Sequence, residues 1–235
     1  MKLLIAIQSY QGDAVNGNHD LIRKTWGQDF PKDVDVLFMV GRRGLNFIPQ
    51  QDEILTDFQK SRTCQHAWWE SYKNCHCQDF WQVQTRDILR WSIAQGYDFT
   101  YLCSTDTFVI PRKLMATGFE KYDYSGYFAP ESLPLGVRST EDIYGEKRYA
   151  WADIGNGMFL SKKASEVVLS SPINYQWVDQ HIAQHLGPYI ERGELTANRL
   201  LDFRNNIAYH FRDQDGTGYQ THGTGWMQKM YKENQ

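Results

Sequence analysis

Tyr97-Asp98-Phe99-Thr100-Tyr101-Leu102-Cys103-Ser104-Thr105-Asp106-Thr107-Phe108-Val109 is the stretch on which the fold is decided. The aromatic and apolar run Phe99 to Cys103 reads as a short buried strand. It ends in Ser104-Thr105-Asp106, returns to apolar Phe108-Val109-Ile110 and stops at Pro111. Aspartate is rarely buried without a partner, so Asp106 is expected to face a cation, a donor or a cleft. In open α/β sheets ligands gather at the carboxyl ends of strands, where this reading places Asp106. An aspartate capping the following turn explains the same spacing, and spacing alone leaves both readings standing.

Working outward, Leu3 to Ser9 reads as a first buried strand and Val34 to Gly41 as a second. The second is almost continuously apolar, as strands of parallel sheets are. Between them Ser9 to Asn18 is expected to be a long polar loop, a length associated with function in compact domains. Asp20 is placed to cap a helix over Leu21–Trp26, closed by Gly27. Phe80, Val83, Ile88, Leu89, Trp91 and Ile93 fit one helix over 79–95 that ends at Gly96 and feeds the Asp106 strand. Further on, strands are expected at 122–128, 158–160 and 207–211, and helices at 162–170 and 176–186. The latter should be ended by Gly187-Pro188. Residues 130–144 read as a loop and 42–80 show no clean period. With no repeat and no dividing linker, one domain over residues 1–235 is expected.

At 235 residues the chain is long enough for a substantial core, and 41% hydrophobic with 23% charged residues is an ordinary globular balance. A net charge of −3 provides no general pull toward nucleic acid or anionic membrane. No apolar run is long enough to span a bilayer, and Leu3–Ile7, directly after Met1-Lys2, is too short for a secretory h-region, so a cytoplasmic location is expected. Cys64, Cys75 and Cys77 stand near His66 and His76, but their spacing matches no standard zinc finger or ribbon. Free thiols are the simpler reading.

Several segments in the same order resemble the β-1,3-galactosyltransferase and Fringe superfamily of GT-A glycosyltransferases. Ile22-Arg23-Lys24-Thr25-Trp26 resembles its helix after strand one. Ser104-Thr105-Asp106-Thr107-Phe108-Val109 is similar to its metal motif, and Gly155-Asn156-Gly157-Met158-Phe159-Leu160-Ser161 to its glycine-rich segment. Val178-Asp179 and His210-Phe211 resemble two later elements. The resemblance covers most of the chain, with residues 42–80 matching poorly. It implies a GT-A fold, that is, an α/β domain with a mostly parallel, Rossmann-like sheet and helices on both faces. It further implies transfer of a sugar from a UDP-linked donor to a hydroxyl acceptor, with inversion to a β-linkage and help from Mn²⁺ or Mg²⁺.

Carried over residue by residue, Asp106 is the expected metal ligand, joined by His210, with His222 as its rival. Two acids of the family motif are replaced by Ser104 and Thr105, whose hydroxyls offer hydrogen bonds but no charge. Asp179, near a helix start, is the expected general base; a dipole-favoured acid is the plain alternative. Arg23 is expected at a phosphate or uracil, or else in a surface salt bridge to Asp20 or to the neighbourhood of Asp106. Ser9 and Tyr10 are expected to line the nucleotide pocket, and Trp151, Asp153, Gly155 and Asn156 to meet donor and acceptor sugars. Gly155 and Gly157 would permit close backbone approach, or form an ordinary turn. The glycine-rich tail, about 212–235, is expected to act as a lid. His181 and His185, four apart, read better as a solvated helix face than as a metal pair.

The family's animal members are membrane-anchored, so a viral, phage or bacterial version is expected, acting on a glycan or protein and less readily on modified DNA. Two other readings compete: a non-catalytic nucleotide-sugar or glycan-binding protein on the same fold, and a nuclease or phosphatase. The second needs a tighter acidic cluster than the sequence offers.

Overall fold

The computed structural model describes residues 1–42, 48–59, 77–129, 133–138, 148–172, 178–200, 207–210 and 223–235. Its centre is a seven-stranded sheet built from β1 (Leu3–Tyr10), β2 (Val34–Arg42), β3 (Glu53–Gln59), β4 (Phe99–Ser104), β6 (Tyr124–Gly126), β9 (Met158–Ser161) and β10 (Ala197–Arg199). Their order is β10-β6-β9-β4-β1-β2-β3. All neighbours are parallel except β9, which runs antiparallel to both β4 and β6.

Alternation along these strands divides the core into two layers. Leu3, Ile5, Ile7, Tyr101, Cys103 and Phe159 point to one face, where they meet Leu21, Ile22 and Trp26. Leu4, Ala6, Leu102, Met158 and Leu160 point to the other, against Ile88, Leu89, Val168, Ile182 and Leu186. The first helical layer comes from α2 (Asn18–Arg23), α4 (Pro111–Met115) and α7 (Gly223–Asn234), the second from α3 (Cys77–Ala94), α5 (Lys162–Ser170) and α6 (Val178–Glu191), while α1 (Gln11–Val15) directly follows β1 at its carboxyl end. A strand apolar on both faces is what a doubly covered parallel sheet demands. The expected α/β architecture is therefore met.

Two small antiparallel pairs complete the frame. β5 (Thr107–Val109) joins β11 (Ala208–His210), and β7 (Phe128–Ala129) joins β8 (Trp151–Ala152).

Several expectations are corrected. The polar stretch after β1 is not a loop: it holds α1, then Gly17 at φ 82° opens α2 at Asn18, so Asp20 lies inside the first turn and is not its cap. The expected strand over 122–128 is two strands in different sheets, β6 and β7. Helix α6 continues through Gly187 and Pro188 to Glu191. A Cβ at Gly187 would lie 2.3 Å from the Tyr149 ring, so this glycine is a packing choice and not a helix stop. Over 223–234 the tail forms α7, whose Met227 and Met230 are buried in the same cluster as Trp26. Cys64, Cys75, His66 and His76 lie outside the described residues. Cys103 is buried and free. Among the described residues no helix is long and apolar enough to cross a membrane.

Candidate functional site

Strands β1 and β4 lie side by side with Gln8 opposite Ser104, so the residues leaving their carboxyl ends emerge together. From β4 comes the turn Ser104-Thr105-Asp106, all three half-buried. The Ser104 hydroxyl donates to the Asp106 carboxylate, and Ser104 N is 3.3 Å from Thr107 Oγ1. Beyond the turn β5 pairs with β11, and His210 stands in register with Thr107, one residue from Asp106. The two sequence-predicted metal residues are thereby neighbours through the backbone.

From β1 comes a residue that sequence reading passed over. Asp13, on α1, is 7% exposed. Tyr10 N donates to its Oδ2 at 3.2 Å and Asn18 Nδ2 to its Oδ1 at 3.2 Å. The Thr105 side chain hydrogen-bonds it too, and the Asp106 charge lies close enough to act on it. Burial pushes the Asp13 carboxyl up to about 6, and Asp106 adds to that, against the lowering effect of the three hydrogen bonds. The signal available in the sequence was an acid inside an unusually long first connection.

The glycine segment is the third wall. Thr107 Oγ1 donates to Gly155 O at 2.7 Å and Tyr101 Oη to Asn156 O at 2.8 Å. Asp153 folds the turn on itself: Oδ1 accepts from Gly155 N at 2.9 Å and Oδ2 from Asn156 Nδ2 at 2.8 Å. Gly157 has φ 92° and lies against the Tyr101 ring. Its glycine is needed for that contact, so what it admits is a core side chain. Trp151 is half-buried on β8. The neighbouring Ala152 N donates to Tyr124 Oη at 2.8 Å. Asp179, in the first turn of α6, accepts from Gln180 N at 2.8 Å, and its charge reaches the buried Tyr124 hydroxyl. Residues 151–157 are thus tied to the Asp106 turn at one end and to the surroundings of Asp179 at the other.

Ser9 and Arg23 belong to a different construction. Ser9 Oγ lies 2.6 Å from His19 Nε2, and His19 Nδ1 lies 2.7 Å from Glu53 Oε1, with all three residues buried. Hydrogen bonds from His19, the Gln50 backbone and Arg23 overcome the desolvation of Glu53 and lower its pKa, while burial lowers that of His19. An ionised Glu53 only accepts, so Nδ1 carries the His19 proton and Nε2 accepts from Ser9. The order serine–histidine–carboxylate is that of a hydrolytic triad. Ser9 is 0% exposed, however, so its hydroxyl is sealed from solvent in this structure. Arg23 completes the chain through Nε to Asp52 at 2.8 Å, Nη2 to Asp52 at 2.6 Å and to Glu53 at 2.8 Å, and Nη1 to Asp20 at 2.8 Å. Its guanidinium is held by three carboxylates, Asp20, Asp52 and Glu53. Tyr10, half-buried at the end of β1, stays beside Asp13.

Among the described residues no group of three or more His, Cys, Asp or Glu side chains assembles a metal cage. What converges is carboxylate and hydroxyl oxygen, a hard donor set that suits Mg²⁺ or Mn²⁺ when a ligand's phosphates complete the shell. His181 and His185 are not a solvated face: their rings meet at 4.4 Å inside the second helical layer, and His181 is 1% exposed. The side chain of His210 and all of His222 lie outside the described residues.

No protein-family profile and no curated protein matches the chain. Among solved structures, A197 from STIV is similar over 91% of this chain and 87% of its own, at 14% identity and a TM-score of 0.42. An active-site mutant of LgtC is similar over 99% and 96%, at 12% identity and a TM-score of 0.45. Both likenesses are too distant to carry a function.

Proposed function

We propose that this chain is an inverting, metal-assisted GT-A glycosyltransferase that moves a sugar from a UDP-linked donor to a hydroxyl acceptor. The observation that supports the reading is the meeting, at the carboxyl ends of β1 and β4, of the Asp106 turn with the 151–157 segment that also reaches Asp179. Ligands of open α/β sheets bind in that place.

Asp106, with His210, would hold Mn²⁺ or Mg²⁺, and the ion supplies neutralisation of charge on the departing diphosphate. Thr107 anchors the glycine segment beside that turn, so Asp153, Gly155 and Asn156 present a fixed backbone to the donor sugar. Asp179 takes the acceptor hydroxyl's proton as its oxygen forms a bond to the anomeric carbon. The bond from that carbon to the diphosphate breaks, and UDP leaves with the electron pair. Attack from the face opposite the leaving group gives the β-linkage. A glycan acceptor fits best, since a net charge of −3 does not favour nucleic acid.

Calorimetric binding of UDP with and without Mn²⁺, on wild type and Asp106→Ala, tests the reading. Metal-dependent binding in wild type, lost in the variant, is the expected result. Metal-independent UDP binding removes Asp106 as a ligand. Absence of UDP binding refutes the UDP-donor reading. With a donor in hand, Asp179→Asn should reduce transfer by 10²-fold or more. Binding of donor without hydrolysis or transfer would favour the non-catalytic alternative.

A further inference from the structure

The Tyr124 hydroxyl is fully buried on β6 and accepts a hydrogen bond from Ala152 N at 2.8 Å, but among the described residues nothing accepts its own proton. A phenol both accepts and donates, so half of that capacity is unspent in a place sealed from water. We infer that Tyr124 is a positioning residue for Asp179, its hydroxyl proton turned toward the carboxylate that takes the acceptor's proton. The inference rests on the base assignment above and deepens it.

The ring of Tyr124 is held in place. Phe128 meets it edge-on at 4.7 Å, and Ala152 N occupies one side of its oxygen. Resonance keeps a phenolic O–H in the plane of its ring, so with one in-plane position taken the proton has the other. The charge that acts on this hydroxyl is that of Asp179. Burial, and after it that charge, hold the phenol well above its ordinary pKa, so the proton stays on Tyr124 and is there to be donated. The first turn of α6 belongs to the same frame. Arg148, just before β8, donates from Nη1 to Gln180 Oε1 at 2.6 Å, and Val178 is buried in one cluster with Tyr124, Ala150 and Ala152. Asp179 lies between Val178 and Gln180, and its carboxylate accepts from Gln180 N. Tyr124, β8 and the start of α6 thus form a closed circuit around the proposed base. A buried phenol dipole facing a carboxylate fixes its orientation and favours its charged form, the form a base needs.

The test is the titration of Asp179 by NMR, on chains whose aspartates carry ¹³C at Cγ, with its signal assigned from its absence in Asp179→Asn. Wild type, Tyr124→Phe and a chain with 3-fluorotyrosine in place of Tyr124 are compared. The midpoint is expected to rise by about half a pH unit or more in Tyr124→Phe, which removes the donor, and to fall with 3-fluorotyrosine, a stronger donor. The fluorinated chain keeps the hydroxyl, so it decides the point even where Tyr124→Phe fails to fold. A tyrosine that serves only to accept from Ala152 N would lower the melting temperature of Tyr124→Phe and leave the Asp179 midpoint unmoved in both chains, and that result overturns the inference. With a donor in hand, Tyr124→Phe should shift the acid limb of the kcat–pH profile upward by the same amount, with KM for the donor unchanged. Loss of transfer in Asp179→Asn with an unmoved midpoint in Tyr124→Phe overturns this inference and preserves the base. Intact transfer in Asp179→Asn overturns the base assignment, and this role of Tyr124 with it.

Discussion

A methyl group at Gly157 would have nowhere to go. A Cβ built there stands 1.9 Å from Tyr101 Oη and 2.2 Å from its Cζ, and the residue's φ of 92° is one that side chains rarely adopt. Tyr101 cannot swing aside cheaply. It is fully buried, its hydroxyl is bonded to Asn156 O, and its ring lies 4.8 Å from that of Phe159, which stacks on Phe119 at 4.0 Å. For Gly157→Ala the left-handed backbone costs about 1–2 kcal/mol. Forcing the ring out of a packed core adds about 1–3 kcal/mol, and losing the hydroxyl's bond about 1 kcal/mol. The expected destabilisation is roughly 3–6 kcal/mol. Urea unfolding followed by tryptophan fluorescence measures it, with the slope against denaturant unchanged. In a cycle with Tyr101→Leu the clash and the hydroxyl components should both disappear and the backbone component remain, giving a coupling of about 2–4 kcal/mol. A loss below about 1 kcal/mol would refute the reasoning, because the glycine segment would then not be fixed by Tyr101.

Arg23→Met should cost about 3–5 kcal/mol in the same assay, since it leaves the buried Glu53 carboxylate without its cation. Asp20→Ala should cost less than about 1 kcal/mol, because that end of the network is exposed. Burial, helped by His185 and Arg86, lowers His181 from 6.5 to about 3. The unfolded chain therefore binds its proton more readily, so the stability tied to neutral His181 is complete above pH 6.5 and is lost as pH falls toward 3. At pH 5 that loss amounts to roughly 2 kcal/mol, and His181→Leu should flatten this limb of the stability–pH curve measured by urea titration.

The strands of the central sheet were legible where apolar residues run unbroken, as in Leu3–Ile7 and Phe99–Cys103, because burial on both faces writes itself directly into composition. Strand β3 was not: Glu53, Thr56 and Asp57 give it a polar look, yet Glu53 and Thr56 are buried through hydrogen bonds to His19, Arg23 and the Val40 carbonyl. Gly187-Pro188 reads locally as a helix stop, but the Tyr149 ring occupies the space left by the missing side chain. Helix α7 was hidden by Gly223 and Gly225 at its start, although Met227, Met230 and Tyr231 repeat at helical spacing. At the site Asp106 stood out because it interrupts an apolar run. Asp13 and His19 did not, because their partners Thr105, Ser9 and Glu53 come from separate segments that only the sheet brings together.

Helix α7 also sets an order of events during synthesis. Its Met227 and Met230 share a cluster with Leu21, Ile22 and Trp26. Tyr231 Oη meets Gln28 at 3.0 Å and Asp29 at 3.2 Å, about two hundred positions earlier in the chain. On the ribosome the segment after β1 is made early and then waits, with Trp26 lacking its final cover, until the helix at 223–234 has emerged. One side of the sheet, the side bearing Ile5, Tyr101 and Phe159, therefore closes last, while the opposite layer of α3, α5 and α6 has every part it needs well before translation reaches α7.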